Sequence, residues 1–199
     1  FKDDPEYLKR QLDAFAETSG YAGEALPSLF VNLGAGVLAA YFSGYLDYDD
    51  FNQTVWFEQP RPWDAVEKLA FREDNPWWQY TQTTMQLCAD IGKDRFLVGM
   101  TDIGGILDVL ASLRGAGNLL LDLIENPERV DEMRHRILEA WHYVYDASAL
   151  RIARAQDGTS SWLRIWCPGH YYPLQCDFCA MISPGMFERF VAPDVQEQC

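Results

Sequence analysis

The sequence is short of features that would place it in a membrane, on nucleic acid or in a disulfide framework. It has no run of about 18 uninterrupted apolar residues, and its first residues, FKDDPEY, lack the basic and apolar segments of a signal peptide. Only 16 basic residues face 30 acidic ones, giving a net charge of −14 that would repel a phosphate backbone. The five cysteines are an odd number and scattered. We therefore expect a cytoplasmic protein without membrane or nucleic-acid partners, whose cysteines are free thiols or metal ligands.

What the sequence does contain is enough apolar material for one substantial core. Of the 199 residues, 48% are hydrophobic and 14% aromatic, a composition that favours a folded domain over a disordered chain. The chain starts without a methionine and stops at Cys199 inside a predicted helix. We expect a truncated single domain over residues 1–199, with residues 1–25 as a helical lead-in.

Helix and strand patterns alternate along the chain. Apolar runs predict strands at residues 29–32, 96–100 and 174–177, and helices are predicted at 62–71, 76–93, 106–113, 118–125 and 127–155. Asn75 and Ser183, each followed by proline, are typical helix starts, as is Asp4 before Pro5. Residues 47–60 read as an elaborated loop with a short strand at 55–58. Residues 160–177 read as a hairpin-like segment, because the roughly seven residues between its two apolar runs cannot hold a crossover. The two runs are therefore antiparallel neighbours, or the first is an excursion from a barrel.

Polar residues follow each of the three predicted strands: Asn32, Asp102 and Asp177. In a barrel of alternating strands and helices, the carboxyl ends of the parallel strands line the functional face. The pattern therefore predicts that these three side chains open onto one pocket, without naming its reaction.

Two blocks of sequence carry a family resemblance. LQCDFCAMISPGMFERFVAPDV has a strand ending in Asp177, a Ser183-Pro184 helix start and an FxxFVxP-like run, and DRFLVGMTDIGGILDVLASLRGAGNLLLDLIENPERV precedes it at the expected spacing. Both resemble the uroporphyrinogen decarboxylase superfamily. The resemblance covers residues 25–199 and implies an α/β fold of the (β/α)8 TIM-barrel type, incomplete in this chain.

The superfamily includes two main chemistries, which are decarboxylation of uroporphyrinogen without a cofactor and zinc-dependent methyl transfer between methylated corrinoids and thiols. The decarboxylases carry an RQAGRY-like arginine motif that residues 1–25 do not contain. Asn32 stands where their essential aspartate is expected, and Ala111 where a pocket tyrosine is expected. The resemblance thus implies a divergent enzyme leaning to methyl transfer. The alternatives are a decarboxylase of uroporphyrinogen or another carboxylate, and a non-catalytic barrel that binds a tetrapyrrole or other ligand.

The expected site residues follow from the strand ends and this resemblance. Asp177 and Asp102 are the candidate catalytic carboxylates, although either could instead cap a helix or brace a loop. The candidate substrate-binding residues are Asn32, His170 and Tyr172. The substrate would be a small molecule or tetrapyrrole, with a corrinoid and a corrinoid protein as the implied methyl-transfer partners.

A metal site is a second interpretation of the cysteines. Cys167-x2-His170-x5-Cys176-x2-Cys179 has ligand types and spacings that zinc favours. In the family's methyltransferases, however, the zinc ligands are residues that would lie beyond Cys199. We predict that Cys176 and Cys179 hold no zinc and are not joined, because the Asp-Phe pair between them offers no glycine for a tight turn and the cytoplasm is reducing.

Overall fold

The structure is a computed structural model, and it describes residues 5–18, 20–23, 25–49, 52, 54–57 and 59–199. The chain divides into two compact units. The first unit contains residues 1–32, 78–101 and 145–173, and the second contains residues 33–77, 102–144 and 174–199.

Helices and short strands alternate through much of the chain, which confirms the predicted α/β class. In chain order the elements are α1 (Pro5–Thr18), β1 (Ser28–Phe30), α2 (Leu38–Ser43), β2 (Asp47–Asp49), β3 (Thr54–Trp56), α3 (Trp63–Val66), α4 (Pro76–Gly92), β4 (Leu97–Gly99), α5 (Ile106–Arg114), α6 (Ala116–Glu125), α7 (Pro127–Ile152), β5 (Thr159–Ser160), β6 (Trp166–Cys167), a 3-10 helix (Asp177–Met181), α8 (Pro184–Phe190) and α9 (Ala192–Gln198). The sheets among the described residues are two-stranded and form no closed barrel. No helix in the described part of the chain is both long and apolar enough to cross a membrane.

The first unit is organised around parallel strands. β1 and β4 pair in parallel with Leu29 opposite Val98, which confirms the predicted relation of the strands at residues 29–32 and 96–100. A parallel bridge then joins Met100 to Ser161, immediately after β5, and the Met100 amide donates to Ser160 O at 2.9 Å. The chain can approach this closely only at a glycine, since a Cβ on Gly99 would lie 2.6 Å from Ser161 O.

A glutamine side chain completes the pairing of β4. Gln156 Oε1 accepts from the Val98 amide at 2.7 Å, and Gln156 Nε2 donates to Val98 O at 3.3 Å. The side-chain amide thus supplies the donor and acceptor that a backbone would supply in a sheet ladder. Val98 itself is fully buried, so these two backbone groups need such a partner.

The core of the second unit is built from helices. α5 buries Ile106, Leu107, Val109, Leu110 and Leu113, and α2, α3 and α6 pack against it. The helix predicted at 127–155 is confirmed as α7, and its apolar stripe within this unit is buried: Val130, Met133, Ile137, Ala140, Trp141 and Val144. The indole of Trp141 also donates to Gly104 O at 3.2 Å, which fixes α7 to the segment before α5.

Two predicted helix starts are confirmed by their caps. Asn75 Oδ1 accepts from the Trp77 amide at 2.9 Å at the start of α4, and Ser183 Oγ accepts from the Met186 amide at 3.3 Å at the start of α8. Each cap satisfies an amide that the first helical turn leaves without an intrahelical partner. The start predicted at Asp4 lies outside the described residues.

Several predicted elements are corrected. Residues 174–177 are not a strand: residues 174–176 have no regular structure, and Asp177 begins the 3-10 helix. The third parallel segment instead follows β5, whose small polar residues gave no strand signal. Antiparallel pairing occurs within residues 159–167, between β5 and β6, rather than between the two predicted apolar runs.

Two smaller corrections concern residues 47–71. The predicted loop at 47–60 contains an antiparallel hairpin of β2 and β3, in which Tyr48 lies opposite Val55. The strand predicted at 55–58 therefore begins one residue earlier, at Thr54. Glu58, the last residue of the prediction, lies outside the described residues. The helix predicted at 62–71 shortens to the four residues of α3, after which turns lead to α4.

Candidate functional site

The predicted site residues are distributed over both units. Asn32, His170 and Tyr172 belong to the first unit, and Asp102 and Asp177 belong to the second. Asn32 is exposed. That Asn32, Asp102 and Asp177 open onto one pocket stays a prediction.

Asp102 is the most enclosed of the predicted residues, with 8% of its surface exposed. It follows β4 along the chain, and its Oδ1 accepts from the Gly104 amide at 3.0 Å and from Gln175 Nε2 at 2.6 Å. Burial raises the pKa of this carboxyl above its ordinary value, while these hydrogen bonds oppose the rise. The result is a carboxyl held in a fixed position and biased toward its protonated form.

Glycines make this arrangement sterically possible. The backbone oxygen of Asp102 accepts from the amides of Gly36 and Val37 at 3.1 and 3.0 Å. Gly104 has a φ of +79°, and a Cβ there would lie 2.7 Å from the Cα of Gly36. A Cβ on Gly105 would lie 2.2 Å from the Gln175 oxygen. The pair Gly104-Gly105 therefore lets two chain segments close around Asp102.

Asp108 is a second carboxyl that the sequence patterns did not single out. Its two oxygens accept from the backbone amides of Asp177 and Phe178 at 3.0 and 2.7 Å. Burial is the main cause of its raised pKa, and the nearby Asp177 carboxylate contributes to it. Asp108 lies in the first turn of α5, three residues after Gly105, a position that favours acidic residues and could have suggested an anchoring role. Gln175 had no comparable signal.

We call Asp102, Asp108 and Asp177, with the Gln175 that donates to Asp102, the carboxylate cluster. Asp177 is exposed, and its charge also raises the pKa of Asp102. The carboxyls of Asp102 and Asp108 thus tend to keep a proton more readily than ordinary aspartates, whereas the exposed Asp177 is open to solvent. Such a cluster can donate a hydrogen bond or proton to a bound molecule from Asp102.

His170 and Tyr172 meet a third residue, Tyr145, in the first unit. The Tyr145 hydroxyl lies 3.4 Å from His170 Nδ1, and the rings of Tyr145 and Tyr172 pack edge to face at 6.2 Å. The Tyr172 hydroxyl donates to Thr101 O at 3.2 Å. Burial raises the pKa of Tyr145, so its hydroxyl stays neutral at physiological pH. The exposed His170 is therefore the member of this aromatic group that is most open to solvent.

The first unit also has a cavity of about 450 Å³ near the start of β1 and β4. It is lined in part by Pro27, Phe96, Leu97, Gln156 and Trp166. Its volume is in the range of small-molecule sites. None of the five predicted site residues lines it, so the volume of this cavity gives no support to their assignment.

The residues of the possible zinc motif are divided between the two units. Cys167 and His170 belong to the first unit and Cys176 and Cys179 to the second. Within the described ranges, no group of three or more His, Cys, Asp or Glu side chains is arranged to hold a metal ion. All five cysteines are free thiols in the structure.

The geometric reason given for keeping Cys176 and Cys179 apart is corrected. The chain turns between them as a 3-10 helix, which needs no glycine, and the Cys179 amide donates to Cys176 O at 3.2 Å. Cys179 thereby lies close enough to contribute to the raised pKa of the Cys176 thiol.

Comparison of the chain with protein-family models, with curated proteins and with solved structures found no match in any of the three. The assignment to a family therefore rests on the two resembling blocks of sequence and is a proposal.

Proposed function

We propose that this chain is part of a (β/α)8-barrel enzyme of the uroporphyrinogen decarboxylase superfamily that acts in methyl transfer between a corrinoid and a thiol. The two sequence blocks support the family. The parallel pairing of β1 with β4, and the parallel bridge from Met100 to Ser161, support a barrel-type order of strands. In such a barrel the residues that follow the strands form the active site.

The observation that carries the proposal is the buried Asp102 carboxyl just beyond β4. Its fixed hydrogen bonds to the Gly104 amide and Gln175 orient it, and burial biases it toward the protonated form. In the proposed reaction Asp102 donates a hydrogen bond to a polar group on the corrinoid periphery. It thereby positions the substrate and excludes water from that contact.

Methyl transfer is favoured over decarboxylation by the residue at position 32. An amide at Asn32 cannot provide the carboxylate that the resemblance places there in decarboxylases, where it would pair with pyrrole N–H groups. Residues 1–25 likewise contain no arginine motif of the kind that would bind the substrate's carboxylates through bidentate hydrogen bonds. Both departures leave the methyl-transfer branch as the better fit to this chain.

Zinc would activate the acceptor thiol in the family's methyltransferases, but the described residues of this chain do not fit a zinc site. No step is therefore assigned to it. The role derived for this chain is to bind and orient the corrinoid through Asp102 and its supporting hydrogen bonds.

The test uses the full-length protein with methylcobalamin and a simple thiol, and follows loss of the methyl-cobalt absorption. We expect turnover that falls about 100-fold in Asp102→Ala, the scale of a lost acid–base or hydrogen-bonding group. Asp157→Asn, an exposed carboxyl in the first unit, serves as the matched control and should leave the rate unchanged.

Three results would contradict the proposal. Formation of coproporphyrinogen from uroporphyrinogen would favour the decarboxylase alternative. Tight binding of a corrinoid or porphyrin without turnover would favour a non-catalytic barrel. Absence of both binding and turnover would remove the tetrapyrrole assignment altogether.

A further inference from the structure

Cys176 and Cys179 are separated by one 3-10 turn. Cys176 precedes the 3-10 helix and the Cys179 amide donates to Cys176 O at 3.2 Å, a turn bond that brings the two Cα atoms within about 7 Å of each other. Disulfides span Cα separations of about 4.4–6.8 Å. Cys179 also lies close enough to Cys176 to contribute to the raised pKa of its thiol. The geometry therefore permits a bond between them without unfolding the turn.

The turn is held in place by contacts that do not involve either sulfur. Asp108 accepts from the Asp177 and Phe178 amides, and Phe178 is buried with 2% of its surface exposed. Both cysteines are only partly buried, so a small reagent can reach them. Cys88, in contrast, is 3% exposed and belongs to the core. The pair thus combines fixed proximity with access.

We propose that Cys176 and Cys179 form a redox-active dithiol that a low-molecular-weight disulfide oxidises to an intramolecular disulfide. This inference uses only the second unit and does not depend on the proposed methyl transfer. It also replaces the expectation that the two sulfurs cannot meet.

The order of attack follows from the surroundings of the two thiols. Burial, together with the nearby Asp108 carboxylate, raises the pKa of Cys176 to about 12, so Cys176 remains a thiol at neutral pH. The first attack therefore falls to Cys179, which gives its proton to solvent. Its sulfur bonds to one sulfur of the reagent disulfide, whose S–S bond breaks and releases one thiolate.

The second step forms the intramolecular disulfide. Cys176 loses its proton to solvent and attacks the Cys179 sulfur of the mixed disulfide, which releases the second reagent thiolate. Two protein thiols are oxidised and one reagent disulfide is reduced to two thiols, so electrons and protons balance. Proximity across a single turn compensates for the weak acidity of Cys176.

The experiment uses the whole chain with Cys88→Ser, Cys167→Ser and Cys199→Ser, which leaves only the pair. The protein is reduced, incubated with oxidised glutathione at mildly alkaline pH, alkylated and measured by mass spectrometry. We expect a species that has lost two hydrogens, carries no alkyl group and yields one peptide containing the Cys176–Cys179 bond. Circular dichroism before oxidation checks that the variant is folded.

Two further variants in the same background test the order of attack. Cys176→Ser should accumulate a glutathione adduct on Cys179, whereas Cys179→Ser should react much more slowly at Cys176. The proposal fails if a folded protein keeps two alkylatable thiols after treatment with excess oxidised glutathione. Faster adduct formation at Cys176 than at Cys179 would overturn the assigned order.

Discussion

Asp194→Ala removes the ion-pair partner of an almost completely buried guanidinium. The side chains of Arg134 and Asp194 are 5% and 4% exposed, and Arg134 Nη1 donates to Asp194 Oδ1. Arg134 has one further carboxylate partner, Asp131, whose oxygen lies 3.3 Å away and whose side chain is 31% exposed. Among the described residues, no donor reaches Asp194 Oδ2 and no acceptor reaches Arg134 Nε. Without Asp194, the charge of Arg134 stays buried with only a partly exposed partner.

The expected loss in the free energy of unfolding is about 3 kcal/mol, at the lower end of the roughly 3–5 kcal/mol found when one member of a buried pair is removed. The lower end applies because Asp131 remains. For a chain of this length that loss corresponds to roughly 6–12 °C in melting temperature. Asp131→Ala is the matched control, and we expect it to cost less than about 1 kcal/mol because its side chain is partly in solvent.

Replacing both members should behave differently from replacing one. Burial raises the pKa of Asp194 to about 6 from an ordinary 3.8, and the Arg134 charge opposes that rise only in part. Desolvation thus outweighs the attraction between the two charges, as buried pairs often show. Arg134→Met with Asp194→Leu should therefore be at least about 2 kcal/mol more stable than Asp194→Ala.

The same pKa sets a pH dependence with a definite sign. Because the pKa of Asp194 is higher in the folded chain, folding takes up a proton between about pH 4 and pH 6. The stabilisation is present in full below the lower value and is lost as the pH rises through the upper one. Asp194→Asn should abolish this part of the pH profile.

Urea unfolding measures these free energies, and hydrogen exchange at the amides of α8 and α9 locates the effect. We expect exchange in these two helices to rise first in Asp194→Ala. The reasoning is refuted if Asp194→Ala costs no more than Asp131→Ala, or if the double variant is as unstable as the single one.

Two further predictions concern polar side chains whose roles can be separated by isosteric variants. Asn75→Asp keeps the oxygen that caps α4 but turns a carboxylate toward the two carbonyl oxygens of α2 that Asn75 Nδ2 contacts at 3.0 and 2.9 Å. It should therefore lose about 2 kcal/mol in urea unfolding, as should Asn75→Ala, and a neutral result would mean that capping alone matters. Asp102→Asn keeps the acceptor Oδ1 and closely matches the shape of the carboxyl, so it should be as stable as the parent at pH 7. Asp102→Ala leaves two donors unpaired and should lose about 2 kcal/mol, and equal losses in both variants would disprove the role of the hydrogen bonds.

Local chemistry explains which parts of the fold could be predicted from sequence. The helix caps at Asn75 and Ser183 each depend on one side chain and a backbone amide two or three residues further on. The local sequence is therefore enough to predict where these two helices start. The buried stripe of α7 follows from helical periodicity. The segment at residues 174–177 was misassigned because its conformation is set by a distant residue, Asp108, which accepts the Asp177 and Phe178 amides. An apolar run alone cannot reveal such a partner.

The candidate site shows the same division. Asp102 could be predicted because it follows an apolar strand run, and the structure shows it buried and hydrogen-bonded. Gln175 and Asp108 could not, since their importance comes from contacts across 73 and about 70 residues of chain. The 3-10 turn between Cys176 and Cys179 could not be predicted from a glycine pattern, because such a turn forms without glycine.

The side chain of Gln156 has a consequence for the colloidal behaviour of the protein. An uncovered strand presents backbone donors and acceptors that can recruit a strand from another molecule and begin aggregation. At Val98 this template is already occupied, because Gln156 fills both the donor and the acceptor site of the residue. One amide side chain therefore protects the centre of β4 against intermolecular strand addition, as a lysine or proline does on other sheet edges.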